Sequence, residues 1–111
     1  MMTFCRVEAI AYLTRDPELK YTPNQKAVVD FGIATNRKWT DDAGEKHEDT
    51  MYLDCTAWGK CGELVNEYVG KGDPVYIEGH LKFEQWDAQD GSKRSKHTIS
   101  VGKVVFLKSK D

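Results

Sequence analysis

Hydrophobic and polar positions alternate almost without fault from Thr50 to Lys60. Met51, Leu53, Cys55 and Ala57 fall on one face, and Tyr52, Asp54, Thr56 and Trp58 on the other. A period of two is that of a β-strand with one face in a core. The same period runs from Phe4 to Leu13, with Cys5, Val7, Ala9, Ala11 and Leu13 on one side. From Ala27 to Lys38 it sets Val29, Phe31, Ile33 and Thr35 inward and Asp30, Gly32, Ala34 and Asn36 outward. From Pro74 to Trp86 it sets Val75, Ile77, Leu81 and Phe83 inward against Tyr76, Glu78, His80, Lys82, Glu84 and Trp86, and Lys96 to Leu107 supplies a last strand. The segments between are of two kinds. Arg15-Asp16-Pro17, Thr22-Pro23-Asn24 and Asp90-Gly91 are breakers, and Thr40 to Asp49 reads as a polar hairpin loop around Gly44. Cys61, Leu64, Val65, Tyr68 and Val69 instead recur at helical spacing, an amphipathic helix of about three turns stopped by Gly70-Lys71-Gly72-Asp73.

Three strands, one helix and two strands, joined by short connections, give an all-β fold: a five-stranded OB barrel with one α-helix between its third and fourth strands, in one domain over residues 1–111. In that architecture oligonucleotides lie across the second and third strands and the two long hairpins. The large aromatics collect there. Trp39 lies at the mouth of the first hairpin, Tyr52 and Trp58 along the third strand, and Trp86 at the mouth of the second hairpin. Rings on the wet side of a sheet, with cations nearby, suit bases, because every base has a π-face. Cross-strand packing or a subunit contact also places aromatics outward. The outward set of strand one, Phe4, Arg6, Glu8, Ile10 and Tyr12, is more apolar than a solvated face needs and predicts a homo-oligomer that covers it.

Charge refines this picture. The chain carries a net −2 at pH 7, yet Ser92 to Lys110 holds six cations (Lys93, Arg94, Lys96, Lys103, Lys108 and Lys110) and no acid. A local basic stripe is what phosphate contact requires, whatever the overall sum. With 40% hydrophobic and 11% aromatic residues the chain is too apolar to be disordered. No stretch reaches the length of a membrane span, so the expected compartment is the cytosol. Cys5, Cys55 and Cys61 lack the spacing of a metal site and read as reduced, small hydrophobes. The acids Asp41, Asp42, Glu45, Glu48 and Asp49 read as a mobile loop rather than a metal centre. His47, His80 and His97 are scattered, and no phosphate-binding, zinc-protease or serine-hydrolase motif occurs. The residues predict no catalytic site, no metal and no cofactor.

Several segments are distinctive: Leu13-Thr-Arg-Asp-Pro-Glu-Leu-Lys-Tyr-Thr-Pro23, Ala34-Thr-Asn-Arg-Lys-Trp39, Ala57-Trp-Gly-Lys60, Glu67-Tyr68 with Lys71-Gly-Asp73, and Val75-Tyr-Ile-Glu-Gly-His-Leu81 leading to Trp86. In order and spacing, from about Phe4 to Leu107, they closely resemble the bacterial single-stranded DNA-binding proteins. That resemblance implies an OB fold, assembled as a homotetramer or failing that a dimer, which coats single-stranded DNA without sequence preference during replication, recombination and repair. It carries the base-stacking role onto Trp39, Tyr52, Trp58 and Trp86, and phosphate contact onto Arg37, Lys38, Lys60, Lys71, Lys82, Lys93, Arg94 and Lys96. An accessory protein of the primosome type, acting through protein contacts, is the alternative, though a scaffold does not need four rings at the binding mouth. The sequence departs from the family at Glu84, where relatives commonly carry a cation, and at Ala11, where they carry glycine. Relatives also extend into an acidic tip that recruits replication and repair enzymes. This sequence ends at Ser109-Lys110-Asp111, so recruitment is expected only of a form that has such a tail.

Overall fold

Alternation gives each strand one apolar side, and the structure curls those sides inward. The computed structural model describes residues 2–108. Its elements are β1 (Val7–Leu13), β2 (Glu18–Tyr21), β3 (Ala27–Thr40), β4 (Lys46–Trp58), α1 (Gly59–Tyr68), β5 (Pro74–Asp87) and β6 (Lys93–Phe106). The strand order is β1-β5-β6-β4-β3-β2, and β1 also pairs with β3 through Tyr12↔Ala34 and Leu13↔Ile33. That last pairing closes five strands into the OB barrel. β4 and β6 run parallel, with Cys55↔Ile99 and Ala57↔Val101; every other pairing is antiparallel. Val29, Phe31, Ile33, Val75, Ile77 and Ile99 have no solvent exposure, and Val65 of α1 packs with them. Gly62 allows that approach, since a Cβ there would stand 2.8 Å from the Ala57 carbonyl oxygen.

Several boundaries differ from expectation. β1 begins at Val7 rather than Phe4, and Cys5 is exposed, not a core hydrophobe. The short β2, on the edge of β3, lies in the stretch read only as breakers, because Pro17 and Pro23 bracket too few residues to show a period. The helix runs from Gly59 to Tyr68; Tyr68 is largely exposed, its ring tilted against Phe106 at 5.8 Å. Cys55 is the buried thiol, and burial pushes its pKa up to about 12, which leaves it unreactive at neutral pH.

The largest differences concern the two hairpins. Thr40 to Asp49 is not a long loop: strand pairing continues to Thr40↔Lys46, leaving only residues 41–45 as the turn, so Glu48 and Asp49 lie on β4 opposite Lys38 and Arg37. The second hairpin likewise pairs out to Asp87↔Lys93, which starts β6 three residues earlier than expected. Both turns are built alike. Asp41 Oδ1 accepts the Ala43 and Glu45 N–H groups and Gly44 has φ 84°; Asp90 Oδ1 accepts the Ser92 N–H and Gly91 has φ 85°. Leu81 and Phe83 keep their inward phase, yet they are 41% and 55% exposed because the β5–β6 arms run on past the barrel. A bulge interrupts the same pair of strands within the barrel. Glu78 pairs with Lys103 and Gly79 with Val101, leaving Gly102 without an opposite residue. The inward phase of β6 therefore changes from Ile99 and Val101 to Val104 and Phe106. Gly79 is required there, because a Cβ would collide with the Ser100 carbonyl.

Candidate nucleic-acid interface

The outer side of β5-β6-β4-β3 forms one continuous face, and the register fixes what lies on it. Trp86 pairs with Arg94, Glu84 with Lys96 and Lys82 with Thr98; Thr56 pairs with Ser100 across the parallel junction; Trp58 pairs with Val28, Asp54 with Gly32 and Tyr52 with Ala34. Tyr52, Trp58 and Trp86 thus share a face, with exposures of 69%, 39% and 45%. Trp39 does not share it. Alternation along β3 puts Trp39 in phase with Thr35 and Arg37, on the other side of the hairpin, opposite His47. Its ring stacks on His47 at 5.2 Å and takes the Arg37 guanidinium at 4.8 Å.

Each of the three tryptophans has a cation at its ring. Lys26 Nζ lies 5.7 Å from the Trp58 ring centre, Lys96 Nζ lies 6.0 Å from that of Trp86, and Arg37 covers Trp39. These distances are those of cation–π contacts. A base laid on such a ring brings its phosphate near the same cation.

Other expected phosphate contacts disperse. Arg94 leans 3.7 Å from Asp90 at the hairpin turn, Lys93 is paired in the register with Asp87, and Lys38 with Glu48. Lys60 opens α1 beside Trp58, and Lys82 is exposed on the face. Lys71 sits in the turn after α1, where its backbone N–H donates to Asp16 Oδ1. Nor does the C-terminal basic run stay together. Lys103 reaches Glu78 and Lys108 reaches Asp73, away from the rings, while Lys110 lies outside the described residues.

Arg15 and Lys26 are contributions that alternation did not reveal, and Asp54, which it placed on this face, gains partners that it did not show. Asp54 Oδ1 takes Arg15 at 3.3 Å and its Oδ2 takes Lys96 at 3.2 Å, a two-cation link in the middle of the face. Burial pushes the Asp54 carboxyl up, but hydrogen bonds from Lys96 and Arg15 outweigh it and hold the pKa below the ordinary value. The link therefore persists at neutral pH and is lost as pH falls through that lowered value. Arg15 lies across β3 at Gly32, where an added Cβ would meet the Arg15 guanidinium and the Thr14 hydroxyl as they now stand. A glycine inside an alternating strand was the one available signal of such an approach. Arg15 and Lys26 themselves sit in turns, where periodicity says nothing. At the first hairpin tip, ligand-type atoms of Asp41, Glu45 and His47 come within 4.8 Å of one another. Asp41 there is engaged by His47 Nε2 at 2.8 Å and by the turn's N–H groups, which lower its pKa.

A closed five-stranded barrel with an open face of rings and cations defines the chain as an OB-fold protein of the oligonucleotide-binding architecture. Comparison with known proteins specifies it further. The chain belongs to the single-strand binding protein family, whose model matches residues 4–107. It is 39% identical over 105 residues to the single-stranded DNA-binding protein of Helicobacter hepaticus, covering 95% of this chain and 62% of that protein. The protein of the same description from Deinococcus radiodurans is 39% identical over 101 residues, 91% of this chain and 33% of its own length. Among solved structures, a deletion variant of the single-stranded DNA binding protein from Thermus aquaticus superposes with a TM-score of 0.82 at 28% identity, over 95% of this chain and 51% of that one. A Plasmodium falciparum SSB in complex with ssDNA reaches 0.90 at 23% identity, over 97% and 98% of the two chains, and shows the same fold. The chain spans 60% to 65% of the length of the Helicobacter and Wolinella relatives it matches.

Proposed function

We propose that this domain binds and protects single-stranded DNA without a catalytic step, in replication, recombination and repair. The observation that carries this reading is the pairing of each tryptophan ring with its own cation. A strand crossing the face stacks bases on Trp58, Trp86 and Tyr52, releases counterions at Lys26 and Lys82, and meets Trp39 with Arg37 where it wraps past the hairpin edge. Duplex is a poor ligand because its bases already stack on one another. Anisotropy of a labelled strand and of the duplex of the same sequence tests this: single strand binds far more tightly, and equal affinity would refute the reading. Family membership supports it independently. The setting we assign is the bacterial cytosol or a phage-infected cell, and recruitment of repair enzymes is assigned to a tailed form.

Asp54 limits the groove's positive field in this scheme. Asp54→Asn frees Arg15 and Lys96 for phosphate. The variant is expected to bind single strands more tightly and to steepen the plot of log affinity against log salt by up to about 1.4, two added contacts at about 0.7 each. An unchanged slope would mean that neither cation reaches phosphate.

The working unit we assign is a homo-oligomer, a tetramer. The outward residues Ile10 and Tyr12 are 66% and 59% exposed, and Ile10 faces Tyr76, which in turn faces Val105, across β1-β5-β6. β1 pairs with β3 only at Tyr12 and Leu13, so its edge from Val7 to Ala11 is open to a symmetry mate. Light scattering at micromolar concentration is expected to give four subunits, with Ile10→Lys lowering the mass. A wild-type monomer would refute the assignment.

A further inference from the structure

The two hairpin turns share one backbone frame but not its side chains. The Asp41 N–H donates to the Glu45 carbonyl and the Gly44 N–H to that of Asp41, and the same two bonds recur from Ala88 to Ser92 and from Gly91 to Ala88. Asp41, Glu45 and His47 of the first turn therefore stand where Ala88, Ser92 and Arg94 stand in the second. An alanine, a serine and an arginine serve there, so the frame does not demand two carboxylates and an imidazole. In the first turn these three groups converge, one ligand-type atom of each lying within 4.8 Å of the others. His47 Nε2 is 2.8 Å from Asp41 Oδ2, and no lysine or arginine pairs with Asp41 or Glu45 among the described residues. The acids read in sequence as a mobile loop; strand pairing instead holds His47 on β4 opposite Trp39, the two rings stacked at 5.2 Å.

Two carboxylate oxygens and one imidazole nitrogen suit a first-row divalent ion such as Zn²⁺, whereas Mg²⁺ prefers oxygen donors and its own water. Around zinc, with bonds of about 2.0–2.2 Å, neighbouring donor atoms stand about 3.4 Å apart. Drawing the 4.8 Å spread in to that spacing and opening the 2.8 Å contact out to it moves partly or fully exposed side chains by about an ångström. Asp41 keeps its turn bonds throughout, because Oδ1 takes the Ala43 and Glu45 N–H groups and Oδ2 faces His47. We propose that the tip of the β3–β4 hairpin binds a divalent transition-metal ion, with Asp41 Oδ2, the Glu45 carboxylate and His47 Nε2 as ligands and water completing the shell. The ion replaces the His47–Asp41 hydrogen bond and clips the turn to β4. Since His47 lies on the Trp39 ring, the site carries its own optical reporter.

Calorimetric titration of the whole chain with Zn²⁺ tests the site. One ion per chain is expected, with the same affinity in Cys5→Ser, which separates the site from the exposed thiol. Glu45→Gln and His47→Gln are each expected to weaken binding by at least about ten-fold, the loss that follows even when a group that only orients a ligand is removed. Excess Mg²⁺ is expected to leave Zn²⁺ bound. Co²⁺, an open-shell ion, is expected to quench part of the tryptophan emission, and that part disappears in Trp39→Phe and in His47→Gln. Glu45 is exposed in the turn, so its variant keeps the test intact if His47→Gln loosens the hairpin. Absence of Zn²⁺ binding at millimolar concentration overturns the proposal. So does binding that survives both ligand substitutions or is lost in Cys5→Ser, displacement by Mg²⁺, or Co²⁺ quenching indifferent to Trp39.

Discussion

Replacing Trp58 and Trp86 together by alanine is expected to cost about 2–6 kcal/mol of single-strand affinity, two base stacks at about 1–3 kcal/mol each. That is a loss of between about 30-fold and more than 10⁴-fold, read by anisotropy at fixed salt. The rings share one face of β5-β6-β4, so a single strand laid across that face is expected to meet both. Trp39→Ala is expected to cost less than Trp58→Ala, because Trp39 lies on the other side of its hairpin with His47 and Arg37 already on its ring. Tyr68→Ala, on the helix, serves as the comparison that leaves the face intact. A Tyr68 loss as large as that of the double variant would mean that the binding face is misassigned.

The second large effect concerns the core. Phe31 has no solvent exposure and is among the largest buried side chains, so Phe31→Ala is expected to lower unfolding free energy by about 3–5 kcal/mol in a denaturant titration. Met51 and Phe83 carry the same inward phase but stand 47% and 55% exposed on the hairpin arms. Their alanine variants are expected to fall within about 0.5 kcal/mol of the parent, as exposed positions do. A large loss at Met51 or Phe83 would show that the hairpins are packed against something in solution.

Those three residues also show what the sequence could and could not convey. Alternation reports which pleat a residue occupies. It does not report where the barrel ends. Phe31 and Phe83 look alike in pattern, and only the pairing separates them: Phe31 lies opposite Cys55 inside the barrel, whereas Phe83 lies opposite His97 on the hairpin arm. The same limit hid the β3–β4 hairpin, since residues 41–49 are polar on both pleats and resemble a loop, although strand pairing runs to Thr40↔Lys46. Within the barrel the reading was close: Val29, Phe31, Ile33, Val75 and Ile77 are buried as expected, and the helix lies between the expected strands.

At the interface the sequence located the rings but not their partners. Tyr52, Trp58 and Trp86 come together because they share a phase on β4 and β5, which flank β6 on either side; Trp39 separates from them by one residue of phase. Cations are harder to place from sequence, because long side chains reach across strands. Lys96 on β6 meets Asp54 on β4, and Arg15 reaches the same carboxylate from a turn. The basic run from Lys93 to Lys108 looked like one stripe, but the bulge and the strand's length divide it between the hairpin and the far end of the barrel, where Lys103 and Lys108 pair with Glu78 and Asp73.

Single-stranded DNA is proposed to lie on Trp58 and Trp86 beside Lys26 and Lys96. Titration of the protein's own tryptophan emission with an unlabelled oligothymidine, repeated over a series of salt concentrations, tests it most directly. The expected result is strong quenching that saturates, is largely lost in the Trp58→Ala, Trp86→Ala variant, and weakens with salt along a straight log–log line. Binding at low salt without quenching, or quenching that survives removal of both rings, would contradict it.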